Sequence, residues 1–434
     1  MRAFFALFLD VFRASFAQRS LQILVLIGIA IVVFCLGVSF EGDPTDSVLE
    51  ANAKGLASFR SRGSGLASHR SFIGTDVRVE PPRPAASGDG LPAGFEDARV
   101  VEIAFEQLND VDALVLNWRS FQAAQKTGEW PEAPNPPPEL TDADRIAFLE
   151  ERFADFGYSD AAARRIGASS YLVAVRVDHP QEVRGASRLS IFFGIHEFPL
   201  GDASRIDALV FIQSLLASSF AGFVGMLILV SICGGFVPEM LRKGTVDLVL
   251  ARPIPRVRLL LFQYAAAVFF VLVLTVALFA SSGLALAVGA GFFNPSFLLC
   301  ALTMTAIFAV LQSASVLFGL LTRSSNIAAV GALGIWGAST VVGGLHHGSG
   351  VLFRAYPNVR AALEAAYLAL PKLADLASLN TVFLARSHLS EEARSVSLGS
   401  GVPEIDWPVS AGTTVAFTVV LLALAAWMFR RRDY

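Results

Sequence analysis

Apolar residues in this chain gather into long unbroken runs, and the runs have the length of membrane crossings. Between Leu259 and Thr322 there is no Asp, Glu, Lys or Arg, and a bilayer core needs only about 20 apolar helical residues, so this stretch predicts two spans. Charge-free runs at Leu21–Phe40, Ala208–Pro238, Ser324–Phe353 and Trp407–Phe429 each predict one more. The pattern therefore predicts six helices with cores at 21–39, 208–233, 259–287, 297–321, 326–345 and 409–429. Ahead of them, Phe4, Phe5, Phe8, Phe12 and Phe16 recur near one face at helical spacing beside Arg2, Arg13 and Arg19. Residues 1–20 are thus expected to form an amphipathic helix lying in the membrane surface, followed by a retained anchor at 21–40.

The two polar stretches, 41–207 and 346–408, read differently. Val100–Phe105, Tyr171–Val177 and Arg188–Ile195 are rich in β-branched and aromatic residues between turn formers, which predicts strands. Thr141 followed by Asp142 and Asp144, with Ile146, Leu149, Phe153 and Phe156 three and four residues apart, predicts a capped helix between them. The segment up to Gly94 and the run Trp130–Pro138 are rich in Gly, Ser and Pro and read as loops. The expected fold class is an α-helical integral membrane protein with six transmembrane helices and an α+β extracytoplasmic domain at 41–207. The remaining five helices occupy 208–434, with a cytoplasmic loop at 236–258 and an outer loop at 346–408.

Composition agrees: 54% of the residues are hydrophobic, 16% are charged and the formal net charge is -3. No strongly basic surface is available for nucleic acid. Cys35, Cys233 and Cys300 each lie in an apolar run, so neither a disulfide framework nor a zinc site is expected. Basic residues cluster at the N-terminus, in the 239–258 loop (Arg242, Lys243, Arg252, Arg256, Arg258), at Arg323 and in the tail Arg430–Arg432. With six spans all four clusters fall on one side, which the positive-inside bias makes cytoplasmic. Both termini are then expected in the cytoplasm of a cell whose cytoplasmic or inner membrane holds the protein.

Candidate chemistry is sparse. His69, His179 and His196 stand singly, Glu150 and Glu151 diverge on adjacent helical positions, and His346-His347 has no carboxylate nearby in sequence, so it reads as an interfacial turn rather than a ligand pair. The predicted spans contain only Gln213, Gln263, Gln312, Asn326 and hydroxyls, which argues against a proton relay. No catalytic residues, metal or cofactor are expected.

The most informative segment is the cytoplasmic loop. Leu248, Val249 and Leu250 form apolar knobs framed by Arg242, Lys243, Arg252 and Arg256, a mixture suited to a protein partner, and Pro238, Pro253 and Pro255 stiffen it by fixing φ. A loop that merely orients the helices would have the same composition. The run Gly244-Thr245-x-Asp247-Leu248-x-Leu250-x-Arg252-Pro253-x-x-Arg256 resembles the signature that follows the second span of ABC-2 type transporter permeases, including the copper-enzyme maturation group. Leu370-Pro371-Lys372-Leu373-x-x-Leu376 and the Arg-rich tail ending in Asp433-Tyr434 resemble family features too; Met240 and Arg242 replace a Glu that many members carry, with Glu239 one residue earlier. The similarity covers about 20–40 and 205–434 and leaves out 41–205. It implies a half-transporter that pairs as a homodimer or heterodimer in membrane lipid and is driven by a separate ATP-binding subunit. That subunit would contact Pro238, Glu239, Arg242, Lys243, Gly244, Thr245, Asp247, Leu248, Leu250, Arg252, Pro253 and Arg256. In keeping with this, the sequence has no G-x-x-x-x-G-K-[ST] with which to hold ATP itself. The other classes left open are a membrane scaffold or sensor whose outer domain binds partners, and an enzyme, which would need a polar cluster that the sequence does not display.

Overall fold

The computed structural model describes residues 19–42, 45–60, 69–71, 77–127, 138–200, 204–235, 238, 255–347, 356–385 and 405–431. The expected surface helix at 2–19 lies outside these residues except for Arg19, which opens helix α1 (Arg19–Leu36), and the expected loop at 130–138 lies outside them except for its last residue.

After α1 the chain turns directly into β1 (Ser39–Glu41) and a short helix, α2 (Asp46–Lys54). Two short strands, β2 (Ser58–Arg60) and β3 (His69–Ser71), pair with each other. The main sheet is antiparallel and five-stranded. It is built from β4 (Val77–Val79), β5 (Arg83–Pro84), β6 (Arg99–Phe105), β7 (Asp160–Arg165) and β8 (Ser170–Arg176), in the order β4-β6-β8-β7 with β5 also on β6. Strand periodicity explains its burial, because alternate residues face opposite sides. Val101, Ile103 and Phe105 point into the core under α3 (Leu108–Thr127) and α4 (Asp142–Asp155), while Val100 meets Leu172 and Ala174 on the other face. Helix α4 starts with the expected cap: Thr141 Oγ1 accepts from the Asp144 N–H and the Asp144 carboxylate accepts from the Thr141 N–H.

Three expectations for this region need correction. The segment before Gly94 was read as loops, yet it supplies α2, β4 and β5. Helix α3 was not foreseen, although Val111, Leu114, Val115, Trp118 and Phe121 are buried at helical spacing. The run Arg188–Ile195 is not one strand but a hairpin of β9 (Arg188–Ile191) and β10 (His196–Pro199), turned at Phe192, Phe193 and Gly194, all with positive φ. Two bulky residues in that conformation are invisible to propensity, since local sequence favours Gly or Asn there.

Salt bridges lace the outer surface of this domain. Asp89 is drawn down to about 2 by the bond from Arg83, and Asp144 falls below the ordinary carboxyl range through bonds from Thr141 and then Arg119. Asp142 is lowered by Arg165 and Arg145. A depressed carboxylate pKa gives stability that is present above the unfolded value and is lost as pH falls through the folded one. Amide-exchange protection of β5 and α4 is therefore expected to decline between about pH 4 and about pH 2, measured on the full chain. An Asp144→Ala variant should have less protection to lose; a pH-independent α4 would contradict this account.

The helical part begins at α5 (Arg205–Leu215), capped by Ser204 and Asp207. It continues as a π-helical stretch, Leu216–Gly225, into α6 (Met226–Cys233). The predicted second span is therefore not one regular α-helix. The Ser218 hydroxyl donates back to the Ser214 carbonyl at 2.7 Å, a local bond that competes with regular helix pairing. Helices α7 (Arg256–Ala290), α8 (Leu299–Thr322, entered through the turn Pro295–Leu298), α9 (Ser325–His347) and α12 (Trp407–Arg431) are each long and apolar enough to cross a membrane. Helix α7 has 35 residues, about 52 Å at 1.5 Å per residue, so it tilts or projects beyond a core of about 30 Å. Between α9 and α12 lie α10 (Pro357–Ala369) and the apolar α11 (Leu373–Ala385).

Helix α8 is the axis of the bundle. It packs against α7, α9, α11 and α12, and its buried residues lie all round it, from Cys300 and Ala301 to Phe308, Leu311, Ala314 and Leu320. Two pairs of buried polar groups bond across helices: Thr275 and Thr305 share a hydrogen bond of 3.1 Å. The Asn294 amide donates to Gln213 Oε1 at 2.8 Å, tying the start of α8 to α5.

Candidate functional site

The 236–258 loop, expected on the cytoplasmic side, is described only at its ends. Glu239, Arg242, Lys243, Gly244, Thr245, Asp247, Leu248, Leu250, Arg252 and Pro253 lie outside the described residues. Pro238 is buried against Gly319 on α8, where an added Cβ would come within 3.2 Å of the Pro238 ring. The other end returns at Pro255, which precedes α7, and Arg256 is half-buried in its first turn. Just beyond, Leu259 and Leu260 pack with Val316 and Leu320 of α8 and with Ala425 and Phe429 of α12. The Tyr264 hydroxyl donates to the Ala309 carbonyl at 3.0 Å, and the Arg431 guanidinium lies 4.5 Å from the Trp427 ring centre. Both ends of the loop thus rest on one apolar platform formed by the start of α7 and the ends of α8 and α12.

At the opposite end of the bundle the structure assembles a cluster that the sequence pattern did not disclose. Asp375 and Lys372, at 0% and 2% exposure, are buried at the α10–α11 corner. Asp375 accepts from the Tyr367 hydroxyl at 2.6 Å and pairs with His347 Nε2, the last residue of α9, at 2.8 Å. Lys372 donates its ammonium protons to the carbonyls of Leu370, at 2.8 Å, and Tyr367, and lies over the Tyr367 ring at 4.3 Å. Its backbone N–H donates to Thr414 on α12 at 3.0 Å, and His346 stacks on Tyr367 with ring centres 3.9 Å apart. Burial lowers the Lys372 ammonium from its usual range and raises the Tyr367 phenol, which the bond to Asp375 raises further. A buried carboxylate is costly unless compensated; here the donors come from α9 and α10 and a cation from the corner itself.

This corrects the reading of His346-His347 as a plain interfacial turn, because the carboxylate partner lies 28 residues further on. A usable signal was present: Lys372 and Asp375 are opposite charges set inside an otherwise uncharged stretch from Leu368 to Leu384. Among the described residues no group of three or more His, Cys, Asp or Glu is arranged to hold a metal. The cluster ties α9, α10, α11 and α12 together.

A family profile described as an ABC-2 family transporter protein matches residues 91–434. The chain belongs to that family. As an ABC-2 family protein it is a multi-pass membrane component of an ABC transporter, a permease of a kind that generally pairs with an ATP-binding subunit and is generally not catalytic itself. The match also corrects the extent of the resemblance. It begins at residue 91 and so takes in β6 to β10, α3 and α4 as well as the helices, where the loop motif had suggested the membrane portion alone. No curated protein matches the chain.

Proposed function

We propose that the protein is the permease subunit of an ABC exporter, with six membrane helices, both termini in the cytoplasm of a cytoplasmic or inner membrane, and the 41–207 domain outside. Two such subunits pair, and a separate ATPase docks on loop 237–256. The observation that carries this reading is the seating of Pro238 on Gly319: the loop starts in contact with α8, the helix around which the others pack. A force applied to the loop by a closing ATPase dimer would reach the centre of the bundle directly. Export of an amphipathic, lipid-like or peptide cargo suits a bundle whose interior offers amides and hydroxyls but few charges. The scaffold reading predicts no associated ATPase. Co-purification of an ATP-binding subunit, and cargo efflux from vesicles that stops on ATP depletion, are the expected results; efflux that ignores ATP and follows a proton gradient would sink the proposal.

A further inference from the structure

The β9–β10 hairpin displays four exposed large apolar side chains. Phe192, Phe193, Ile195 and Phe198 keep 51, 70, 73 and 51% of their accessibility. Strand register fixes where they point. Strand β1 leaves the outer end of α1 and pairs antiparallel with β9, Ser39 opposite Ser190 and Glu41 opposite Arg188, so β9 runs back toward the helix and its turn returns to the level of Gly37. There the Phe193 N–H donates to the Gly37 carbonyl at 2.9 Å, and the Phe192 ring meets Phe34 edge-on at 5.6 Å. These contacts hold two phenylalanines at φ 55 and 59, a conformation that bulky residues keep only when their surroundings impose it.

The apolar surface at the tip continues one already present on α1. Ile23, Leu26, Ile29, Val33 and Leu36 are exposed at spacings of three and four, which makes one stripe ending beside Gly37. From Leu21 to Leu36 the helix rises about 23 Å, less than a core of about 30 Å, so the chain beside Gly37 is still at the depth of the core's boundary. The outer end of α7 lies alongside, with Gly289 against the Val38 backbone and Leu284 and Val288 exposed four residues apart. Charge is set back from the tip: Arg188 and Glu197, 3.8 Å apart, sit toward the base of the hairpin. Aromatic tips with charges behind them match the depth profile of a membrane–water boundary.

We propose that the β9–β10 hairpin is a lipid-inserted anchor of the outer domain, with Phe192 and Phe193 in the acyl–headgroup boundary of the outer leaflet beside α1. With no cation at its tip, the hairpin takes zwitterionic lipid. This goes beyond the transport role and rests only on α1 being a span. The test uses the full chain with Cys35, Cys233 and Cys300 replaced by Ala, reconstituted in phosphatidylcholine nanodiscs. Phe193→Cys is labelled with an environment-sensitive fluorophore, with Ile29→Cys as the buried reference and Ser87→Cys as the aqueous one. Phosphatidylcholine bearing a doxyl group near the top of the acyl chain should remove roughly half the Phe193-site emission and quench more than a doxyl group near the chain end. The Ser87 site should be unaffected. Water-like emission open to iodide at the Phe193 site, with the Ile29 site quenched by lipid, would overturn the proposal and leave α1 as a span. So would blue-shifted emission insensitive to doxyl lipid, which would mean that a second copy or another protein covers the tip. If neither the Ile29 nor the Phe193 site is quenched, the anchor falls together with the α1 span. Replacing Phe192 and Phe193 with Gly relieves the backbone and deletes the rings. A single-cysteine label at Ile195 in that variant should then lose its lipid quenching; retained quenching would remove the two rings from the anchor.

Discussion

Asp375→Leu is expected to loosen the α9–α11 end of the bundle, lowering stability by about 1–3 kcal/mol for each buried donor left without its acceptor. The substitution puts a larger apolar side chain where a fully buried carboxylate stood, so the loss combines missing hydrogen bonds with overpacking. Lys372 stays buried without its counter-charge, and His347 and the Tyr367 hydroxyl lose their acceptor. Adding Lys372→Met should recover part of the loss, because the buried ammonium, whose charge the nearby carboxylate favours, is then gone as well. Thermal unfolding of the detergent-purified chain measures both variants. A single variant that melts with the parent, or a double variant no better than the single, would show that the two charges are not coupled through their burial.

The second large effect is expected in the cytoplasmic loop. Asp247→Ala, Arg252→Ala and Gly244→Val should each leave an inserted protein that binds its ATPase poorly or turns over ATP without moving cargo. Truncating one partner of a buried charge pair at an interface costs about 2–5 kcal/mol, which is more than tenfold in affinity. Surface substitutions usually alter fold stability by no more than about 0.5 kcal/mol. Gly244→Val acts differently, by replacing a glycine with a β-branched residue that narrows the backbone conformations open at that position. Pull-down of the ATPase and ATP-dependent efflux at parental expression separate these effects. Parental coupling in all three variants would return the loop to a segment that only orients the helices.

How far the sequence could be read differs by region, for physical reasons. Membrane length is written as uninterrupted hydropathy, so the stretches now seen as α7, α8, α9 and α12 stood out with ends misplaced by only a few residues. The helix from Arg205 to Cys233 looked equally simple, but its π-helical middle depends on how the backbone winds and leaves no mark in apolar content. In the outer domain β6, β8 and α4 announced themselves through β-branched runs and a capping box, whereas the β9–β10 turn is imposed by contacts with Gly37 and Phe34. The Asp375 cluster was hidden for another reason. Its members come from α9, α10 and the start of α11, and only the folding of α11 back against α8 brings a carboxylate to His347.

Helices α8 and α9 are joined through only Arg323 and Ser324, with Arg323 in the left-handed conformation that ends α8. So short a turn leaves no slack. The antiparallel pair forms a hairpin, one arm touching Pro238 at Gly319 and the other reaching His347 at the opposite end of the bundle. At 23 residues, α9 spans about 34 Å. Tilting this hairpin at Pro238 would displace the His347–Asp375 contact by an amount magnified by that length. Such a tilt would carry motion from one end of the bundle to the other by rigid rotation.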